Sequence, residues 1–355
     1  MNKRKIKIIG AGSIGNHFAN AGIKLGWDVS IFDIDKEALQ RTKNKIYPSR
    51  YGVWEKKIKL LEKNDNKKYD LIIVGTPPDK HLEVACQELN SEPDALLIEK
   101  PLCTPDRESL KNFLKEIKSS NTKIFCGYDH VLGKGSSELE RIISQNDFGK
   151  PLFIDVEFRE HWEGIFKAHE WLDGPQDSYL GFSQRGGGAI GEHSHGINYW
   201  QFLSHKLGFG KIEFVSSYLD IIKTGKVNYD SIAQLNVISE KGMHGRIIQD
   251  VITRPSKKFA RVQFENGFVE WYCAQTHDLD EVHFSKKNGI VEVLKIPKSR
   301  PDDFVLELKH IDFCLLNKLK SPKIDLSHGI ETLAVIIASI ESNVNKKEEI
   351  VNYNF

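Results

Sequence analysis

The chain has 355 residues, 50 of them basic and 49 acidic, with 40% hydrophobic and 28% charged side chains, which describes an ordinary globular protein long enough for two domains. A formal charge of +1 gives no electrostatic reason to expect a nucleic acid or an anionic membrane as partner. The longest strongly apolar run, Leu333 to Ile340, falls far short of the roughly 20 residues that span a bilayer.

Met1 to Gly15 opens with basic residues, but its apolar stretch, Ile6 to Ile9, is broken by Lys7 and followed by glycines, so no secretory core is expected. Five widely separated cysteines, none in a CxxC pair, point to reduced thiols, a cytoplasmic location and no thiolate zinc site.

From residue 5 to about 130, short β-branched runs alternate with helical patterns. The runs are Lys5–Gly10, Asp28–Asp33, Asp70–Gly75, Ala95–Lys100 and Lys123–Tyr128; the helical spacing falls in Ile14–Leu25, Lys36–Ile46, His81–Leu89 and Arg107–Lys118. This predicts an α/β domain over 1–128, a doubly wound parallel sheet of the Rossmann kind with crossover helices. Trp54–Lys63 is a further candidate helix. Beyond Gly149 the texture changes to strand-like runs, including Leu152–Phe158, Ile212–Leu219, Ser231–Ser239, Gly245–Thr253, Ala260–Phe264, Phe268–Cys273 and Ile290–Ile296. Turns at 240–242 and 265–267 punctuate them. The expectation is a second, α+β domain over 129–325 with a large, open, mainly antiparallel sheet. One helix, Ala189 to Leu207, should lie on that sheet; Asp302–Leu319 and Leu326–Val344 close the chain, the last expected to return to the first domain.

Gly10-Ala11-Gly12-Ser13-Ile14-Gly15 lies between the first strand and the first helix, and Asp33 ends the second strand. Gly10 permits a tight turn, Gly12 lets backbone approach a pyrophosphate, Gly15 allows close helix–strand packing, and the helix N-terminus, from Ser13 and Ile14 on, offers free N–H groups to phosphate. Asp33 can accept both adenosine ribose hydroxyls and repels a 2′-phosphate, which favours NAD over NADP; Lys36 nearby is the opposing detail.

Gly75-Thr76-Pro77-Pro78-Asp79-Lys80-His81 follows the third run and Glu99-Lys100-Pro101-Leu102 the fourth. With the glycine turn, Gly-Tyr-Asp-His at 127–130 and the Gly186-Gly187-Gly188 run, the chain resembles the Gfo/Idh/MocA family (glucose–fructose oxidoreductase, inositol dehydrogenase, rhizopine catabolism) along its whole length. The resemblance implies an NAD(P)-dependent dehydrogenase or reductase acting on CH–OH groups, usually assembled as a homodimer or homotetramer. It implies that Lys100 is catalytic, that Thr76, Pro77, His81 and Glu99 border the cofactor with Lys100, and that Tyr128 lies where substrate binds. A strand-end lysine can donate to a substrate hydroxyl or its developing alkoxide.

The stretch Gly191-Glu192-His193-Ser194-His195-Gly196-Ile197-Asn198 is similar to a subgroup reading Glu-x-Ser-His-x-x-Asp, with Asn198 in place of the last aspartate. An amide cannot relay a proton, though it can hold a sugar hydroxyl. His195 is the expected general acid or base, and Glu192 orients it or binds substrate. On one helix Glu192, His195 and Asn198 share a face while His193 points elsewhere. His161, His169, Glu192, His193 and His195 are locally concentrated, yet helical geometry keeps 193 and 195 from ligating one ion, so no metal is expected there.

Upstream, Arg159, His161, Trp162, Lys167, His169, Trp171, Tyr179, Phe182 and Arg185 accumulate, with Ala168–Arg185 read as a loop over the site. His169, Trp171 and Arg185 are the substrate candidates there, because aromatic faces beside polar donors suit a carbohydrate. The substrate expected is therefore a sugar, sugar acid, nucleotide sugar or cyclic polyol oxidised at a secondary alcohol. Two alternatives stay open: a glycosidase or epimerase that recycles bound NAD, and a non-catalytic nicotinamide-binding sensor.

Overall fold

A computed structural model describes residues 3–145, 147–169, 171–276, 278–287 and 289–355. In chain order the strands are β1 Lys5–Ile9, β2 Asp28–Phe32, β3 Lys59–Leu61, β4 Leu71–Val74, β5 Ala95–Glu99, β6 Lys123–Gly127, β7 Pro151–Arg159, β8 Ile212–Thr224, β9 Val227–Ser239, β10 His244–Asp250, β11 Lys257–Phe264, β12 Gly267–Thr276, β13 Leu279–Lys286, β14 Val291–Pro297 and β15 Glu349–Ile350. The α-helices are α1 Ser13–Lys24, α2 Lys36–Arg41, α3 Tyr47–Tyr51, α4 His81–Leu89, α5 Arg107–Glu116, α6 Lys134–Gln145, α7 Glu163–Ala168, α8 Gly188–Glu192, α9 His195–Lys206, α10 Arg300–Asn317 and α11 Leu326–Asn345.

The chain divides into two compact units. Unit 1 comprises residues 1–129, 301–326 and 355; unit 2 comprises 130–300 and 327–354. Unit 1 holds a six-stranded parallel sheet in the order β3-β2-β1-β4-β5-β6. Its central strands are apolar on both faces, Leu71–Val74 and Ala95–Ile98 being buried throughout, as strands covered by helices on both sides must be. Lys7 is the exception in β1. It is fully buried, with Nζ 2.5 Å from Glu88 Oε2 of α4, 3.0 Å from Asn64 Oδ1 and 2.9 Å from the Asp65 carbonyl.

Unit 2 is built on a nine-stranded sheet in the order β14-β13-β12-β11-β7-β10-β9-β8-β15, antiparallel except for the β7–β10 pair. The expected hairpin turns join β9 to β10 and β11 to β12. Trp200 and Tyr199 of α9 pack on the sheet: the Trp200 indole N–H donates to the Ile154 carbonyl at 3.1 Å, and Tyr199 stacks on Trp271 with ring centroids 4.6 Å apart.

Three expectations need correction. The segment read as a candidate helix at Trp54–Lys63 instead supplies β3, which pairs in parallel with β2; α3 ends at Gly52 (φ 91°), and the following backbone satisfies the open edge of the sheet. The helix read over Ala189–Leu207 is two helices, broken at His193 and Ser194, so Glu192 ends α8 while His195 opens α9. The helix returning to the first unit is α10, not α11. Phe304 packs edge-on against Phe18 at 5.0 Å and Asp312 accepts from Arg4 at 2.8 Å. α11 stays in unit 2, where Ser342 and Asn343 accept the backbone N–H groups of Ser217 and Leu219. An apolar stripe such as Leu333–Ala338 says that a helix is buried, not which sheet it covers.

Candidate functional site

In unit 1 the glycine turn, Asp33, Thr76 and Lys100 all follow the carboxyl ends of parallel strands, the edge of an open α/β sheet where ligands bind. Gly10 has φ 111°, and a Cβ there would meet the Gly75 carbonyl oxygen at 2.6 Å, so turn and neighbouring loop approach as closely as backbone allows. A Cβ on Gly12 would meet nothing within 4 Å. The open space lies beside the first turn of α1, whose N-cap Gly12 supplies no side-chain bond, leaving the helix N–H groups available to an anion. These residues fit a dinucleotide pyrophosphate.

The turn is held from behind by two residues that no motif pointed to. Buried Asn16 donates Nδ2 to the Gly12 carbonyl at 2.8 Å, and Thr42 donates Oγ1 to the Ala11 carbonyl at 2.5 Å. Tying the carbonyls inward leaves the N–H side of the turn outward. Asp33 accepts the Ala11 N–H at 2.8 Å and the Asp35 N–H at 2.9 Å, which fixes its half-buried carboxylate at the end of β2. Lys36 lies 3.4 Å from Glu62 on the surface. Arg50, also absent from the sequence reading, donates to the Ser13 carbonyl at 3.0 Å and brings a cation to the start of α1.

His81 is buried, with Nε2 2.7 Å from the Thr76 carbonyl and Nδ1 3.0 Å from the Pro101 carbonyl. It braces the loop holding Thr76 and Pro77 against the Lys100–Pro101 segment. Burial drives its pKa down, against the pull of the two carbonyls, so the neutral ring donates to one of them at a time. Glu99 ends β5, buried, opposite Gly127 of β6, where a Cβ would meet its carboxylate at 2.8 Å. Lys100 follows, half-buried. Glu307 of α10 belongs to the same unit and is wholly buried. Burial first, then the charges of Glu99, Asp129 and Asp303, push the Glu307 carboxyl well above the ordinary carboxylate range. Tyr128 is buried at the end of this unit.

In unit 2 the glycine run is organised by a buried acid that the sequence reading also missed. Asp230 of β9 accepts the Ile190 N–H at 2.7 Å and the Ser183 hydroxyl at 3.1 Å; Gly188 (φ 78°) passes so close that a Cβ would strike its carboxylate. Burial raises the Asp230 carboxyl to about 7, against its hydrogen bonds. Just downstream, Glu192 accepts from the Tyr179 hydroxyl at 2.8 Å. His193 Nε2 lies 3.3 Å from the Glu160 carbonyl. His195 is 9% exposed and packs against His130, ring centroids 4.3 Å apart, and Phe158 at 6.0 Å.

Asn198 lies one turn after His195 but is buried between helices, donating Nδ2 to Thr332 Oγ1 of α11 at 3.1 Å. His169 and Trp171 form an edge-on pair at 5.1 Å, Trp171 being 42% exposed, and the Arg185 guanidinium lies 5.9 Å from the Phe182 ring. The segment expected to be a loop consists of α7's end and short 3₁₀ turns at Pro175–Asp177, Tyr179–Gly181 and Ser183–Arg185; its position 170 lies outside the described residues. Unit 2 therefore holds Glu192 by Tyr179 and His195 by its ring neighbours, and turns Asn198 toward α11.

Comparison with known proteins follows this geometry. No curated protein matches the chain in sequence. Over 99% of its length it superposes on 99% of an oxidoreductase from Agrobacterium radiobacter in complex with NAD+, L-tartaric acid and magnesium, with a TM-score of 0.78 at 13% identity. The WlbA dehydrogenase from Bordetella pertussis in complex with NADH and UDP-GlcNAcA gives 0.71 at 19% identity, covering 99% of both chains. An aldose-aldose oxidoreductase from Caulobacter crescentus complexed with glycerol gives 0.76 at 16%, covering 98% of this chain and 100% of that one. At these identities the likeness speaks for the fold, a Rossmann-like unit followed by a mainly antiparallel sheet unit. Residues 4–128 match the Gfo/Idh/MocA model, described as an oxidoreductase family with an NAD-binding Rossmann fold.

Proposed function

We propose that the protein is an NAD-dependent oxidoreductase that moves a hydride between the nicotinamide and a secondary-alcohol carbon of a sugar, sugar acid, nucleotide sugar or cyclic polyol. The observation that carries this is the uncrowded glycine turn at Gly12 beside the uncapped start of α1, with the Asp33 carboxylate fixed at the next strand end. Gly10, Gly12, Ser13, Ile14 and Gly15 would hold the pyrophosphate and Asp33 the adenosine ribose, with Thr76 and Pro77 beside the nicotinamide ribose. The bound nicotinamide supplies the hydride acceptor or donor.

The chain supplies alignment and the proton path. Lys100 donates to, or takes the proton from, the reacting hydroxyl, and the brace through His81 sets the backbone that carries it. His195 is the second proton-transfer group, and Glu192, oriented by Tyr179, binds a substrate hydroxyl. His169, Trp171 and Arg185 offer aromatic faces and a cation to a carbohydrate with an acidic group. The substrate class is also supported by the fold's relatives, which were crystallised with a sugar nucleotide, tartaric acid or glycerol.

The test is a thermal melt of purified protein with NAD and with NADP, followed by a screen of sugars, sugar acids and nucleotide sugars for NADH formation. A ligand bound only by the native state raises the midpoint. A larger rise with NAD and NADH production with one class supports the reading; no rise with either dinucleotide and no resident cofactor would overturn it.

A further inference from the structure

Away from the residues assigned above, two histidines and a glutamate converge on the pair formed by α9 and α11. His205 lies in the last turn of α9, and His328 and Glu331 lie three residues apart near the start of α11, a spacing that puts both side chains on one helix face. His205 Nε2 is 2.8 Å from Glu331 Oε2, and His328 Nδ1 is 3.7 Å from the same oxygen. The three ligand atoms lie within 4.8 Å of one another. Tetrahedral zinc with bonds of about 2.0 to 2.1 Å sets its ligand atoms roughly 3.3 Å apart. The two measured separations bracket that edge, so small side-chain rotations complete the triangle.

The environment suits a cation. The histidine side chains are 32% and 30% exposed, leaving an entry path and room for a water as fourth ligand.

We propose that His205, His328 and Glu331 form a divalent metal site, with zinc the best-matched ion, that pins the end of α9 to the start of α11. Two imidazoles and one carboxylate are a borderline-soft donor set that selects zinc-like ions over magnesium or calcium. On binding, the proton that bridges His205 Nε2 to Glu331 gives way to the metal: it moves to Nδ1 in the neutral ring or leaves to solvent from the charged one. Asn198 and Thr332 already tie the same helices together one layer further along. Metal occupancy therefore stiffens the helix that His195 opens, without touching the residues assigned to cofactor.

The experiment uses the full chain, stripped with chelator and then titrated with Zn²⁺ and separately with Co²⁺. Zinc is expected to raise the thermal midpoint, and Co²⁺ to give the visible bands of a tetrahedral nitrogen and oxygen site without thiolate charge transfer. His328→Gln, at a partly exposed position, should leave the metal-free midpoint unchanged and weaken binding by roughly 100-fold, as should Glu331→Gln. Three outcomes overturn the proposal: no binding of either ion up to about 1 mM, binding unaffected by His328→Gln, or a cobalt spectrum dominated by thiolate, which would place the metal on a cysteine such as half-buried Cys86. If Glu331→Gln lowers the metal-free midpoint, the His328→Gln titration decides alone.

Discussion

The carboxylate of Asp230, on a strand of the second unit, receives the backbone N–H of Ile190 at 2.7 Å and so anchors the glycine run at its one turn of helix. Its carboxyl is raised to about 7 by burial, above the ordinary 3.8. Between those values the folded chain keeps a proton that the unfolded chain has released, so this group adds stability as pH falls from 7 toward 4 and removes it as pH rises. Comparison of urea midpoints for wild type and Asp230→Asn at pH 5 and pH 8 should show the wild type relatively better at the lower value. The difference is bounded by about 1.4 kcal/mol per pH unit. Asp230→Ala, which orphans the Ile190 N–H, should cost about 1 to 3 kcal/mol at either pH.

Lys7 and Glu88 form an ion pair wholly inside unit 1. Removing one partner leaves a buried charge, so Lys7→Ala should destabilise the protein by roughly 3 to 5 kcal/mol. The double variant Lys7→Met with Glu88→Leu should recover most of that loss, because apolar side chains of similar volume replace both charges. Equilibrium unfolding of Lys7→Met, Glu88→Leu and the double variant measures the coupling; a double variant as unstable as the sum of the singles would contradict it.

Lys100→Ala should lower turnover by roughly 100-fold or more while leaving the NAD-induced melting shift nearly intact, because proton transfer is lost and dinucleotide contacts remain. Steady-state kinetics beside thermal melts make the comparison. Equal loss of both would reassign Lys100 to cofactor binding.

Asp33→Ser should narrow the preference for NAD over NADP by about tenfold, roughly 1.4 kcal/mol, by removing the charge that repels a 2′-phosphate. Paired titrations with the two dinucleotides read the ratio. An unchanged ratio would move the selectivity to another residue, with Arg50 and Lys36 the cations to examine first.

Glu307→Gln should keep the fold, since burial favours the neutral form of this carboxyl and the amide matches that form in size and charge. Glu307 is also raised above its ordinary value of 4.5, so stability falls as pH rises above that value; the glutamine variant should lose less stability than wild type over the range upward from pH 4.5. Melting midpoints across that range test the sign.

The glycine turn was legible because phosphate binding by backbone demands particular residues at particular spacings, all within one strand, turn and helix. The clamps behind it were not. Thr42 and Asn16 reach the turn carbonyls through a meeting of two helices, and nothing local to Thr42 marks it as a partner of Ala11. Asp230 and Glu307 are invisible for the same reason: each is a single acid whose significance comes from elements distant in sequence. Lys7 reads as an interruption in a strand until Glu88 and Asn64 are placed beside it. β13, with acidic and basic residues along its length, hides a buried Asp280 that accepts from the Ala274 backbone N–H, and charge content alone argues against a strand there. The break between α8 and α9 at His193 and Ser194 is likewise a feature that periodicity does not register.

The discontinuity of unit 1 bears on how the chain is made. Phe304, Glu307 and Asp312 belong to its core, yet they emerge from the ribosome after nearly all of unit 2 has been translated. The nascent dinucleotide unit must wait with the Phe18 and Arg4 surfaces uncovered, while residues 130–300 are synthesised and begin to fold. A ribosome stalled before residue 301 therefore displays an incomplete first unit, and pulse-labelled nascent chains should gain protease resistance in that half only once α10 has cleared the exit tunnel.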